Sequence, residues 1–398
     1  MPRFLPFPAV RYAPGVDLDA VIAPPYDVLS DADVDALAAR DPHNIVHVDV
    51  PRGGEDRYER AAQAWQAWLD EGVLTVDDEP SFTIYRMSFT DATGAPRTIV
   101  GVLGGLEVVD EGAGGVLPHE RTTPKAKTDR LDLTIATATN LSPVWGLSLA
   151  TGLTTLLTEP GEEVGRLEVD GVTHVVERVT DPERLAAITE LVATDDVLIA
   201  DGHHRYAISR TYRDEVRGAT GRTDTPAEQT LAFVNELVDD QLSIEAIHRA
   251  YSGVDAAAVR EALAASFEIE EAPHPTPGTL AQLVEHGRLL FLTRDEAAWL
   301  TPKKDAFGGI RELDGAYLEH ALAGTQASVA YQHGLDQVLG LLRSGEASAA
   351  VLIRPTSLAE IEKTARFGLL MPPKSTFFTP KLRTGLVARP TEPLPARD

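Results

Sequence analysis

Ten residues constrain this chain more than any other stretch: Val197-Leu198-Ile199-Ala200-Asp201-Gly202-His203-His204-Arg205-Tyr206. Four apolar residues halted by Asp-Gly read as a buried strand. Beyond them Ile208, Tyr212 and Val216 recur along one side of a helix. A strand that ends in a tight glycine turn and opens a helix presents unpaired N–H groups at the positive end of the helix dipole, a ready anion site. His203, His204 and Arg205 add side-chain donors, and a guanidinium can grip an oxyanion with two bonds. Asp201 at the strand's end suits Mg²⁺ or a proton. The plainer alternative is that Asp201 caps the helix and the histidines face solvent. Zinc is disfavoured, because adjacent histidines point apart and spacing supplies no third ligand.

The same alternation of period-2 and period-3.6 patterns runs through the chain. Helices are expected over 30–40, with Ser30 as N-cap, and over 56–70, 182–192 and 255–267. Strands are expected over 43–50, 82–89, 97–109, 164–170, 173–179, 230–234, 288–292 and 349–354. The stretch 110–143 is polar and rich in Gly, Thr and Lys, and reads as a long loop. The fold class is α/β with a mixed sheet. At 398 residues the chain is long for one domain. Three regions are expected: 1–160 with a His-Glu loop, 161–272 around the Asp-Gly turn, and 273–398 with a Lys-Ser-Thr segment.

Charge narrows the ligands. With 36 basic and 61 acidic residues the formal net charge is −25, which repels nucleic acids and anionic membranes. A phosphate-bearing ligand must be met locally by a few cations and N–H groups. The chain contains no cysteine, which removes disulfides, thiol nucleophiles and cysteine-ligated metals. No apolar run is long enough for a signal peptide or a membrane-spanning helix, so a soluble cytoplasmic protein is expected.

Other segments carry chemistry-bearing residues. Leu117-Pro118-His119-Glu120-Arg121-Thr122 offers a carboxylate and an imidazole, or simply a surface His-Glu. Lysine is scarce: of seven, Lys125 and Lys127 follow that segment, and Lys374 and Lys381 lie in or just after Met371-Pro372-Pro373-Lys374-Ser375-Thr376. That placement suggests anion contacts. Prolines replace the glycines a Walker loop needs, so Lys374, Ser375 and Thr376 can donate to an anion without forming a P-loop. Tyr26 and Asp27, in Pro24-Pro25-Tyr26-Asp27-Val28, either line the site or belong to a stiffened corner. His43 and His47 would lie roughly 13 Å apart on a strand face, too far to share a metal. His248 follows a strand-like run and is a weaker pocket candidate, while Trp65 and Trp68 read as core. The Gly-x-Ser-x-Gly elbow and the Gly-x-Gly-x-x-Gly fingerprint are both absent from the sequence.

Asp-Gly-His-His-Arg after an apolar strand resembles the phosphate-binding signature of the partition-protein/sulfiredoxin-like superfamily, especially its free-serine kinases. Over nearly its whole length the chain also resembles a bacterial domain-of-unknown-function family, number ten-fifteen. Its landmarks are Pro24–Val28, Pro118-His119-Glu120, Asp201–Arg205 and Met371–Thr376. The resemblance implies a phosphate-binding core elaborated by N- and C-terminal α/β segments. In the serine kinases a glutamate N-terminal to the phosphate turn acts on the substrate hydroxyl. Glu120 is the matching residue, although the 80 residues between it and Asp201 make a longer gap than the small kinases have.

The expected function is therefore a small-molecule phosphotransferase using ATP or ADP with Mg²⁺ on free L-serine or a similar hydroxyl compound. Glu120 and Asp201 are its catalytic candidates, with Asp201 also the metal candidate. Gly202, His203, His204, Arg205 and Lys127 are expected at the phosphates. His119, Tyr26, Asp27, Lys374, Ser375 and Thr376 are expected at the substrate. The expected partners are that substrate and a nucleotide, with no nucleic acid and no membrane; the oligomeric state stays open. Two alternatives remain: a nucleotide-binding switch or slow nucleotidase without an amino-acid acceptor, and an amino-acid sensor without chemistry.

Overall fold

The period-2 runs between Phe82 and Glu107 pair into a hairpin, Phe82–Thr90 against Pro96–Glu107, with Thr83 opposite Leu103 and Thr90 opposite Pro96. In the computed structural model, which describes residues 1–91, 94–119, 127–276, 278–371 and 374–392, this hairpin centres a nine-stranded sheet. From one edge the order is Val116–Leu117, Val197–Asp201, Val144–Ser148, Gln229–Glu236, Pro96–Glu107, Phe82–Thr90, Val172–Val179 and Glu162–Val169, with Phe4–Leu5 also paired to Pro96–Glu107. The sheet is mixed: Val197–Asp201 runs parallel to Val116–Leu117 but antiparallel to Val144–Ser148, which is itself parallel to Gln229–Glu236. The expected α/β class with a mixed sheet is what the structure has.

Helix Pro182–Val192 begins where expected, with Asp181 accepting from Arg184 N at 2.9 Å and Pro182 in the first turn. Its Ile188 and Val192 enter the core beside Phe82, Ile84, Val102 and Val197. Close packing there depends on Gly104, where a Cβ would lie 2.4 Å from the Phe4 ring. Trp65 and Trp68 of helix Arg57–Asp70 are buried, as their spacing implied.

Contacts divide the chain into two units. The first comprises Met1–Leu242, Ala365–Leu369 and Pro380–Asp398; the second comprises Ser243–Thr364 and Leu370–Thr379. The second unit is a six-stranded antiparallel sheet, ordered Phe267–Glu271, Ala297–Pro302, Leu289–Leu292, Ala349–Leu352, Ile247–Ser252 and Ser328–His333. Its two cores draw on different helices: Ala256–Ser266 and Asp314–Leu322 in one, Thr279–His286 and Leu335–Ser344 in the other. Among the described residues no helix is long and apolar enough to cross a membrane.

Two expectations are corrected. The stretch 43–50 is not a strand. Asp41 Oδ1 accepts from His43 N at 2.7 Å, and Asn44 Oδ1 accepts from Val46 N at 3.1 Å, which turns the chain into a short helix, Val46–Asp49. Asx side chains that bond the backbone two residues on override the alternation of valines. The polar stretch 110–143 is not one loop either, since it holds strand Val116–Leu117 and helix Lys127–Thr137. That helix turns Leu133 and Thr137 inward, too thin an apolar stripe to register as a period.

Candidate functional site

The strand–turn–helix segment forms as its residues dictate. Strand Val197–Asp201 ends at Gly202, which sits in the left-handed region at φ +84° and serves as N-cap of helix His203–Thr220. A side chain at 202 would be strained by that angle and would also place a Cβ 3.3 Å from Val144 Cα. No side-chain cap bond is made at this helix start among the described residues. Asp201 is thus not the cap. Its Oδ2 accepts from Arg205 Nη2 at 2.8 Å and its Oδ1 from Lys381 Nζ at 2.8 Å. Burial alone would raise the Asp201 carboxyl, but Lys381 and Arg205 overcome that and hold it well below the usual carboxylate range.

Lys381 arrives on a C-terminal segment laced through the first unit. Ala23 and Thr384 exchange backbone bonds of 3.1 and 2.8 Å, as do Val10 and Ala388 at 2.9 Å each, and Arg389 pairs with Asn140. The Ala23–Thr384 pairing also fixes the approach to the 3₁₀ turn Tyr26–Val28. Asp27 Oδ2 comes within 3.6 Å of Arg205 Nη2, and Arg130 lies over the Tyr26 ring, 4.3 Å from its centroid. Arg205 is buried, and its Nη1 donates to the Pro143 carbonyl. Its charge is opposed by burial yet favoured by Asp27 and Asp201, which together raise its pKa.

His119 and His203 form an edge-to-face pair, ring centroids 4.7 Å apart. His119 Nδ1 lies 2.6 Å from the Ile199 carbonyl, which assigns the proton to Nδ1, and its backbone N–H meets His203 Nε2 at 3.4 Å. Burial lowers His119 to about 4 and, with His119 as neighbour, lowers His203 well below the ordinary histidine value. Both rings are neutral near pH 7. His204 is half-buried in the same first turn.

The structure therefore brings together Tyr26, Asp27, His119, Asp201, Gly202, His203 and Arg205, joined by Lys381, which the sequence marked only as one of four suggestively placed lysines. Glu120 lies outside the described residues, and so does the Lys127 side chain, although Lys127 itself opens a helix. Lys374, Ser375 and Thr376 belong to the second unit, where Thr356 Oγ1 donates to the Ser375 carbonyl at 3.2 Å. His248 is also in that unit and buried, its Nδ1 accepting from Ile353 N at 3.2 Å. His43 and His47 turn to Asp41 and to the Ala38 and Asp41 carbonyls.

With both oxygens committed to cations, Asp201 is a poor resident metal ligand. Among the described residues no group of three His, Asp or Glu side chains could hold a metal ion.

Sequence reading missed Asp49, Arg130 and Ser142. Burial raises the Asp49 carboxyl, with Arg130 and Arg205 opposing. Arg130 Nη1 donates to the Asp49 backbone carbonyl at 2.5 Å, and Ser142 Oγ lies 3.0 Å from Thr384 Oγ1. Asp49 was hidden by the mistaken strand, and Arg130 by the unrecognised helix.

Residues 4–317 match the model of one family, described as a protein of unknown function (DUF1015). No curated protein matches the chain. Among solved structures, a free serine kinase in complex with AMP aligns at 13% identity and TM-score 0.38, over 67% of this chain and 84% of that one. A conserved hypothetical protein from Pyrococcus furiosus aligns at 14% and 0.37, over 67% and 87%. SbnI with a C-terminal truncation, from Staphylococcus aureus, aligns at 14% and 0.37, over 70% and 84%.

Proposed function

We propose, for a chain that belongs to the DUF1015 family of proteins of unknown function, a cytosolic phosphotransferase that moves a phosphoryl group from ATP or ADP to a small hydroxyl compound, with free L-serine the leading acceptor. The observation that carries this reading is the turn at Gly202. A helix start with no side-chain cap among the described residues, together with Lys381 and Arg205 around Asp201, places N–H donors and two cations at one point of a strongly acidic chain. A phosphate group is the ligand that N–H groups and cations in this arrangement suit.

In this reading the N–H groups at the start of helix His203–Thr220 hold the phosphates, with His203 and His204 beside them. Lys381 and Arg205 set the Asp201 carboxylate in place. The acceptor oxygen forms a new bond to phosphorus as the bridging oxygen of the nucleotide departs with its electron pair. The hydroxyl proton passes to Glu120, the base implied by the family resemblance. Catalysis rests on positioning and charge neutralisation.

The switch reading keeps one observation in its favour: with both oxygens engaged, Asp201 has little capacity left for a substrate proton. Phosphorus NMR separates the two. Protein, Mg²⁺, ATP or ADP, and a pool of hydroxyl amino acids should give a new phosphomonoester signal, lost in Glu120→Ala. Bound but intact nucleotide in every sample would replace the kinase with a switch.

A further inference from the structure

A small cavity of about 50 Å³ is lined by Tyr26, Asp49, Arg130, Asn140, Ser142 and Arg205, with apolar and hydroxyl side chains completing its wall. Asp49 is 3% exposed, and its Oδ2 is buried with no hydrogen-bond partner among the described residues. Its Oδ1 fares little better. Arg130 Nη1 stands 3.4 Å away and Ser142 Oγ 3.5 Å, both at the limit of a hydrogen bond. Neither guanidinium nearby makes a strong bond to this carboxylate. Arg130 gives its short bond to the Asp49 backbone carbonyl, and Arg205 is tied to Asp201 and to the Pro143 carbonyl. A buried carboxylate oxygen left so is costly, and the group that relieves it is a cationic donor.

We infer that this cavity receives the protonated amine of the acceptor, making the substrate class primary amines that bear a hydroxyl, α-amino acids included. Size permits it: at about 50 Å³ the cavity has room for an ammonium group. Two guanidiniums, Arg130 and Arg205, also line the cavity, but their short bonds go to the Asp49 and Pro143 backbone carbonyls and to Asp201. An ammonium is therefore what answers the unpartnered Asp49 Oδ2, where a phosphate would meet a carboxylate. Placement completes the case, because Arg205 is at once a wall of the cavity and the partner of Asp201 beside the phosphate turn. The inference rests on the phosphotransferase reading for its acceptor but is tested apart from it.

The test is calorimetry of the full chain with Mg²⁺-ADP, L-serine and 3-hydroxypropionate, which keeps the hydroxyl and carboxylate of serine and lacks only the amine. We expect L-serine to bind at least ten-fold tighter than 3-hydroxypropionate. Asp49→Asn should weaken L-serine at least ten-fold and leave 3-hydroxypropionate unchanged, an amine-dependent effect that a merely structural role would not produce. Equal affinity for the two ligands in the wild-type protein overturns the inference, as does equal weakening of both by the variant. If Asp49→Asn fails to fold, the wild-type comparison and Ser142→Ala, expected to weaken L-serine selectively, decide instead. ADP binding without binding of L-serine removes the amine site and leaves the phosphotransferase reading standing. Loss of both ADP and L-serine binding removes the two together.

Discussion

Asp201 shows how one side chain changes meaning with its neighbours. Lys381→Met removes one of its two counter-cations and leaves a largely buried carboxylate held by Arg205 alone. We expect a loss of about 3 kcal/mol, the size seen when one partner of a buried pair is deleted, read from urea denaturation at pH 7. Gly202→Ala forces an alanine into the left-handed region and should cost about 1–2 kcal/mol while weakening ADP binding, measured on the same protein. Histidines set the acid behaviour. Burial lowers His119, His174 and His248 each to about 4. Between that value and the ordinary 6.5 the unfolded chain takes up protons that the native chain refuses. Stability should therefore fall as pH drops through this window, with urea midpoints declining from pH 7 to pH 5. Asp201 does not contribute there: its folded value lies below the carboxylate range, so its stabilisation is lost only in far stronger acid.

Elements whose ends are written locally were the legible ones. Helix Pro182–Val192 carries its Asp181 cap, its proline and its apolar spacing within a dozen residues. Asp181→Ala should accordingly cost about 1 kcal/mol, read as a lower urea midpoint. The Asp-Gly turn was legible for the same reason, since a strand run, a glycine and a helix period are neighbours in the chain. The helix Val46–Asp49 was not, because two Asx side chains decide it against a valine alternation that favours a strand. Helix Lys127–Thr137 was missed because its inner face carries Arg130 and Thr137 along with Leu133, and periodicity registers only apolar residues.

On the scale of the whole chain, charge decides which ligands are admitted. At −25 the protein should leave fluorescent duplex DNA unbound at 50 mM salt in a polarisation assay, since Coulomb repulsion opposes a phosphate polymer along its length. A single phosphate, the ligand proposed for the turn, is a different matter, because a few cations and N–H groups can suffice for it. The first unit spans most of the sequence and is closed by the strand-like return of residues 380–392, which carries Lys381 to Asp201 and Thr384 to Ser142. The landmark Lys374-Ser375-Thr376 ends up in the second unit, only a few residues short of the crossing.

Read alone, the sequence was enough to establish the α/β class, most strands and helices, and the Asp-Gly-His-His-Arg turn, because each depends on side chains within about one helical turn or a few strand residues of one another. Tertiary structure alone decided that Lys381 stands on Asp201, that Arg205 turns inward, and that Asp49 faces a cavity with an unpaired oxygen. Those are contacts across 4 to 180 residues of chain, and apart from the shortest no pattern in the intervening sequence specifies them. They follow from how the sheet stacks distant strands and from which buried charges must find partners once water is gone.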